Sequence, residues 1–417
     1  MKNLLLLLIL MLPIINFKSA GAAELESARE QIICAMSAMA AYSDETGDLS
    51  RRFFEARGWK LDKLESPSKK INVKMHFMSN EDAAGNVTKI FFITGTEDLN
   101  DLLVDTKFSS VPFNADEKIS VHSGFKDYAD AALSEGILNF FVEYIKNHPN
   151  EKIYFTGHSL GGAISVLIAA RLADAGADMK NIKVVTFGAP AVGNREFADS
   201  FKDKINLTRV VMDSDIIDAS FKIFGYVHFG EVVKYKETET STQYSHSMAV
   251  YLESVLKNFY DANLKLQTQN KIETPVYIAP IKIVQKSFKP ADENYIKSIL
   301  RDGYESRFTK VTFGEPNFET IKKSADFSYS IKEHIDAAKK AGSKFIIVPL
   351  IHTKPIKESK QRATRVLFEE IICDAQGHLL SMNTSGMTTI SVTTLDAAFF
   401  GQEFLREDRE KTVAAKK

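Results

Sequence analysis

The spacing of apolar and polar positions along this chain changes period repeatedly, and each change marks an expected element. Residues 24–41 place Ile32, Ile33, Met36, Met39 and Ala40 at helical intervals, which predicts an amphipathic helix with one face on a core. Residues 71–77 and 87–93 are β-branched and aromatic runs separated by a polar, turn-rich connection, which predicts a hairpin. A helix is expected at 97–105 and a long one at 125–147. Lys152-Ile153-Tyr154-Phe155-Thr156 reads as a buried strand, and residues 163–170, apolar except for Ser165, read as a helix. Strands follow at 182–187, 207–212 and 231–235, the first at a spacing that fits one βαβ crossover, and a helix opens near Ser247. Beyond residue 268 the pattern predicts strands at 274–284, 310–313, 344–351, 366–373 and 378–382, with helices at 294–308 and 318–325. Asp374-Ala375-Gln376-Gly377 supplies hairpin chemistry between the last two strands. The tail from Arg406 reads as a charged helix end or as disordered chain.

Between the strand at 152 and the helix at 163 stands Gly157-His158-Ser159-Leu160-Gly161-Gly162. A serine on a tight strand-to-helix turn is forced out of regular backbone geometry and its hydroxyl is lifted clear of the sheet, while glycines on both sides admit neighbouring chain. The motif alone is weak; its flanking strand and helix make it a nucleophile elbow. The N–H of Leu160, at the start of the helix, points where the negative charge of a tetrahedral intermediate forms. Partners for Ser159 must come later in the chain, in the order serine, acid, histidine. His122 precedes the serine and is read as structural; His158, adjacent to it, is read as packing. Asp213, Asp215 and Asp218 compete for the acid, and His228 and His246 for the base.

Several of these segments resemble the class 3 lipases, the fungal-type triacylglycerol lipases of the α/β-hydrolase fold. The resemblance rests on the elbow, on Ile93-Thr94-Gly95-Thr96, on Val121-His122-Ser123-Gly124-Phe125, on Gly188-Ala189-Pro190 and on Gly225-Tyr226-Val227-His228-Phe229-Gly230. It implies an α/β fold with a central, mostly parallel sheet over residues 23–268, followed by a smaller α+β accessory unit at 269–417 that carries no recognised catalytic motif. It also implies ester hydrolysis at a lipid. In that family the acid directly precedes an Ile-Val-like pair, which selects Asp215 and leaves Asp213 and Asp218 as solvated loop residues, and the base stands before the last helix, which selects His246. Thr96 takes the place of the side-chain donor to the oxyanion, beside the N–H of Leu160. The segment at 97–105, with Leu99, Leu102 and Leu103 on one face, takes the place of a lid helix or packs into the core. Thr94 and Leu102 depart from the arginine and tryptophan usual at those positions.

Composition narrows the alternatives. Lys2, the apolar run 4–15 and the small residues Ser19-Ala20-Gly21-Ala22-Ala23 have the layout of a secretory signal peptide over residues 1–22, so a secreted or periplasmic protein is expected. Anchoring by an uncleaved segment is the alternative, although the run is shorter than the ~20 residues that span a bilayer. Removal of that segment leaves 51 bases against 54 acids, a net charge of −3, which argues against nucleic acid as a partner. Cys34 and Cys373 sit beside apolar residues and are expected as buried thiols, with a bridge as the alternative for an exported chain. The nine histidines are scattered without metal-ligand spacing, and no cofactor is implied. The rival to an ester hydrolase is a hydrolase fold kept as a binding or scaffolding module of the cell envelope.

Overall fold

The computed structural model describes residues 20–43, 45–56, 58–65, 71, 73–82, 84–95, 109–134, 136–236, 245–267, 271–284, 290–315, 331–355, 364–389, 409, 412 and 413. The expected signal segment falls almost wholly outside these residues, as do Thr96, Leu99, Leu102 and Leu103, the helix expected at 318–325 and the boundary at 268/269. Helix α1 runs Ala20–Ala40 and is followed by α2, Glu45–Ala56. No helix among the described residues is long and apolar enough to cross a membrane.

A seven-stranded sheet organises the first part of the chain. Its strands are β1 (Lys60–Glu65), β2 (Lys74–Glu81), β3 (Val87–Ile93), β6 (Lys152–His158), β7 (Ile182–Phe187), β8 (Asn206–Met212) and β9 (Glu231–Tyr235), in the order β1-β2-β3-β6-β7-β8-β9. The first three pair antiparallel, and from β3 to β9 every pair is parallel. Between them β4 (Ser110–Pro112) and β5 (Ser120–His122) form a short ribbon. Parallel strands are buried on both faces, which is why they read as nearly unbroken apolar runs. On β3, Phe91 and Ile93 enter one core while Ile90 and Phe92 enter the other; on β6, Phe155 and Tyr154 divide in the same way.

Helices α3 (Ser123–Ala132), α4 (Ile137–Asn147) and α5 (Leu160–Asp174) lie on the first of these cores. The single helix expected at 125–147 is thus two. Gly136 takes φ 88°, a left-handed conformation open to glycine, and turns the chain between them. His122 is structural as expected: its imidazole accepts a hydrogen bond from the N–H of Phe125 and caps α3. After β7 come α6 (Arg195–Phe201) and, beyond β8, α7 (Ile217–Ser220) with a 3₁₀ turn at Phe221–Phe224. Helix α8, Met248–Gln267, packs with α1 on the opposite face of the sheet.

A second, six-stranded sheet follows, with β10 (Val276–Ile278), β11 (Lys282–Val284), β12 (Val311–Phe313), β13 (Phe345–Pro355), β14 (Thr364–Asp374) and β15 (Leu379–Thr389). Helices α9 (Pro290–Arg307) and α10 (Lys332–Lys340) accompany it. The one strand expected at 274–284 is split into β10 and β11, because Pro280 has no N–H to give to a ladder. Helices α2 and α10 and strand β1 were not expected from the pattern. The β14–β15 hairpin turns where expected: the N–H of Asp374 donates to the carbonyl of His378 at 3.0 Å, and Gly377 takes φ 91°. Buried residues of α1, α8, α9, the first sheet and the second sheet, among them Met36, Val255, Ile278, Leu300 and Phe368, form one continuous apolar cluster. Cys34 and Cys373 are both buried and free.

Candidate active site

Strand β6 ends at His158 and α5 begins at Leu160, so Ser159 alone makes the turn. Its backbone has φ 56° and ψ −125°, and it is the one non-glycine with positive φ among the described residues. Holding a β-carbon in that region costs on the order of 1 to 3 kcal/mol, which the surroundings must offset. The N–H of Ser159 donates to the carbonyl of Phe187 at 2.9 Å, and its carbonyl accepts from Gly162 and Ala163. The flanking glycines are required by space. A β-carbon on Gly161 would overlap the carbonyl of Ile93, and one on Gly157 would overlap the backbone of Gly161.

The acid arrives on β8, whose last residue is Met212. Asp215 Oδ1 accepts the N–H of Ile217 at 2.9 Å, while Oδ2 accepts from His246 Nδ1 at 2.7 Å and from the Tyr251 hydroxyl at 2.5 Å. Burial pushes the carboxyl of Asp215 up, but the hydrogen bond and charge of His246, with the hydrogen bonds of Tyr251 and Ile217, outweigh it and hold the group below the usual carboxylate range. Burial first, and the Asp215 charge second, push the Tyr251 phenol well up, so it is a fixed donor. Tyr251 lies one turn into α8, and its hydroxyl also accepts the N–H of Met212 at 3.3 Å.

His246 therefore stands on the acid from the loop just before α8. Its Nε2 and the Oγ of Ser159 are both buried, and neither has a hydrogen-bond partner among the described residues. The rival base, His228, is turned elsewhere: its Nε2 donates to the carbonyl of Asp218 at 2.9 Å and lies 3.2 Å from Asp218 Oδ1. Burial first, with Arg209 next to it, pulls His228 down to about 4. Asp218, expected as a solvated loop residue, is instead ion-paired to Arg209. Asp213 is exposed, as expected.

His158 is more than packing. Its imidazole ring centre is 4.7 Å from that of His246, and Nε2 is 2.7 Å from the carbonyl oxygen of His246. Nδ1 is 2.7 Å from the hydroxyl of Tyr42, a residue just past α1. A pairing across 88 residues of chain leaves no periodic trace in the sequence. Of the expected oxyanion donors, Leu160 opens α5 and Thr96 lies outside the described residues. Thr94, near it, donates through Oγ1 to the carbonyl of Ala41 at 3.3 Å.

Comparison with known proteins places part of this site in a matched stretch. Residues 90–224 match the family model described as Lipase (class 3), a stretch that contains Ser159 and Asp215 and ends before His246. A lipase of Rhizomucor miehei is 30% identical over 155 residues, which are 36% of this chain and 42% of that protein. A chloroplastic phospholipase A1 of Arabidopsis thaliana, PLIP1, is 30% identical over 159 residues, 37% of this chain and 24% of its own length. The chain thus spans less than half the length of these relatives. Among solved structures, a lipase from Rhizopus microsporus var. chinensis matches at 23% identity and a TM-score of 0.43, over 50% of this chain and 74% of that one. The triacylglyceride lipase of Rhizomucor miehei matches at 22% identity and a TM-score of 0.42, over 51% and 81%.

Proposed function

From the premise that residues 90–224 belong to the class 3 lipase family, we propose that the protein is a serine ester hydrolase of lipase or phospholipase type, cleaving acyl esters of lipids. Ser159 Oγ attacks the acyl carbonyl and His246 Nε2 takes its proton, while Asp215 holds the imidazole by Nδ1 and stabilises the imidazolium. The N–H of Leu160 and the hydroxyl of Thr96 receive the negative charge on the carbonyl oxygen. Collapse of the intermediate expels the alcohol, which takes the proton from His246, and leaves an acyl-enzyme. Water then attacks the acyl-enzyme, giving a proton to His246, and the second intermediate collapses to release the carboxylic acid as His246 returns that proton to Ser159 Oγ.

The observation that carries this reading is the pairing of a backbone-strained serine with an imidazole already fixed on a buried carboxylate. The two atoms that must exchange a proton, Ser159 Oγ and His246 Nε2, are both buried without a hydrogen-bond partner among the described residues. A buried polar atom left unbonded costs about 1 to 3 kcal/mol, so its presence at a site calls for a role. The apolar run near the N-terminus, read as a signal peptide, supports a secreted or periplasmic location, and lipid esters at an interface are the proposed substrates. Residues 269–417 form a proposed accessory unit.

Ser159→Ala removes only the attacking oxygen, and ester turnover is expected to fall on the order of 10⁶-fold with the fold retained. His246→Ala should match that loss and His228→Ala should not. Retention of more than a few per cent of wild-type hydrolysis by Ser159→Ala would sink the assignment, and a loss confined to His228→Ala would move the base.

A further inference from the structure

His158 is buried, and no step of the reaction above uses it. Its two ring nitrogens are both engaged, and the direction of each bond follows from chemistry. The carbonyl of His246 can only accept, so the hydrogen is on Nε2. A neutral imidazole carries one N–H, which leaves Nδ1 as an acceptor, and the Tyr42 hydroxyl must donate to it. Burial first, and the proximity of His246 second, pull His158 down to about 3, so the neutral form is the working one.

The outer end of this chain of bonds is itself fixed. Arg51 of α2 donates through Nη1 to the carbonyls of Ala40 at 2.6 Å and Tyr42 at 2.8 Å, closing the end of α1. A glycine at position 95 makes room, since a β-carbon there would come within 2.7 Å of the His158 carbonyl oxygen and 2.9 Å of the Tyr42 hydroxyl. On its other side the histidine loop is tied down by Ser245, whose Oγ donates to the carbonyl of Ser214 at 3.0 Å. Among the described residues the imidazole of His246 makes one hydrogen bond, to Asp215, which fixes Nδ1 and leaves the ring free to swing about that contact unless its backbone is held.

We propose that Tyr42 and His158 are positioning residues, which hold the backbone of His246 so that its Nε2 stays in reach of Ser159 Oγ. The proposal rests on the assignment of His246 as the general base. Positioning of this kind acts on the proton-transfer step: a displacement of about 1 Å costs up to roughly 100-fold in rate, without touching the groups that bind substrate.

The test is steady-state kinetics on a short, soluble p-nitrophenyl ester. Tyr42→Phe and His158→Leu should lower kcat roughly 10- to 100-fold with KM unchanged. His158→Gln should restore most of the loss, because its amide nitrogen still donates to the His246 carbonyl and its oxygen still accepts from Tyr42. In a His246→Ala background, His158→Leu should add no further loss, which separates positioning from general destabilisation. Tyr42→Phe, which removes a single oxygen, carries the test should His158→Leu not fold. Wild-type kcat in Tyr42→Phe, an effect confined to KM, or equal losses in His158→Gln and His158→Leu would overturn the proposal alone. Wild-type kcat in His246→Ala would overturn the base assignment and the proposal with it.

Discussion

Tyr251 shows how much of the proposed site is decided one atom beyond its reacting groups. Its hydroxyl donates to the same Asp215 oxygen that receives His246, and it accepts the buried N–H of Met212. Tyr251→Phe removes a hydrogen bond to a charged group, worth about 1.5 kcal/mol, and is expected to lower kcat roughly tenfold with KM unchanged. Kinetics on a soluble ester would check this, and an unchanged kcat would mean that His246 and Ile217 suffice to orient the acid. A β-carbon on Gly188, at φ 56°, would come within 2.7 Å of Asp215 Oδ2 and 2.8 Å of the Tyr251 hydroxyl, so the Gly188-Ala189-Pro190 turn makes the pocket in which the two meet. At this scale the sequence announced Ser159 through its motif, and Asp215 and His246 through chain order and the residues beside them. Asp218 and His158 were misjudged because their partners, Arg209, Tyr42 and His246, are joined to them only by the folded chain.

Elements were legible where burial gives them an unbroken apolar signature. Strands β3, β6, β7 and β8 match the expected runs to within two residues, since parallel strands covered on both faces admit few polar side chains, and β9, the more exposed edge strand, matches over its whole length. Helix α2 was missed because Glu45–Ala56 is largely polar and buries little besides Phe54 among its described side chains. The break between α3 and α4 was missed because apolar spacing continues through Gly136, and a left-handed turn is a property of one residue. The segment at 97–105, expected either as a lid helix or as core, lies outside the described residues. If Leu99, Leu102 and Leu103 cover the serine in water, exposing each costs on the order of 1.5 to 3 kcal/mol, which keeps the closed state dominant until lipid is present. Activity should then rise sharply above the solubility limit of the ester, and replacing the three by serine should flatten that rise while sparing a short soluble substrate. A triple variant that fails to fold would place these leucines in the static core and make a soluble-ester esterase the better description.

At the scale of the whole molecule, the candidate site lies where two bodies of structure meet. The acid and the serine come from the carboxyl ends of β8 and β6, as expected for an open parallel sheet, whereas the base and Tyr42 come from the layer of α8 and α1. That layer shares its buried apolar cluster with the second sheet, so the second sheet backs the helices that carry His246 and Tyr42. Arg409 is buried on Glu370, with Nε 2.9 Å from Oε1 and Nη2 2.8 Å from Oε2, and Tyr304 donates to the same carboxylate at 2.8 Å. A charge buried this deeply is tolerated only with its partner in place, which ties residue 409 to the fold of the second sheet. None of this was legible in the order of elements alone, because packing between layers joins residues far apart in the chain. The measurement that bears most directly on the central claim is covalent labelling of the folded protein with a fluorophosphonate, followed by peptide mapping. The account predicts one adduct, on the peptide that contains Ser159, formed at a much lower rate in His246→Ala and absent in Ser159→Ala. Active ester hydrolysis with no adduct at Ser159, or with the adduct on another residue, would contradict it.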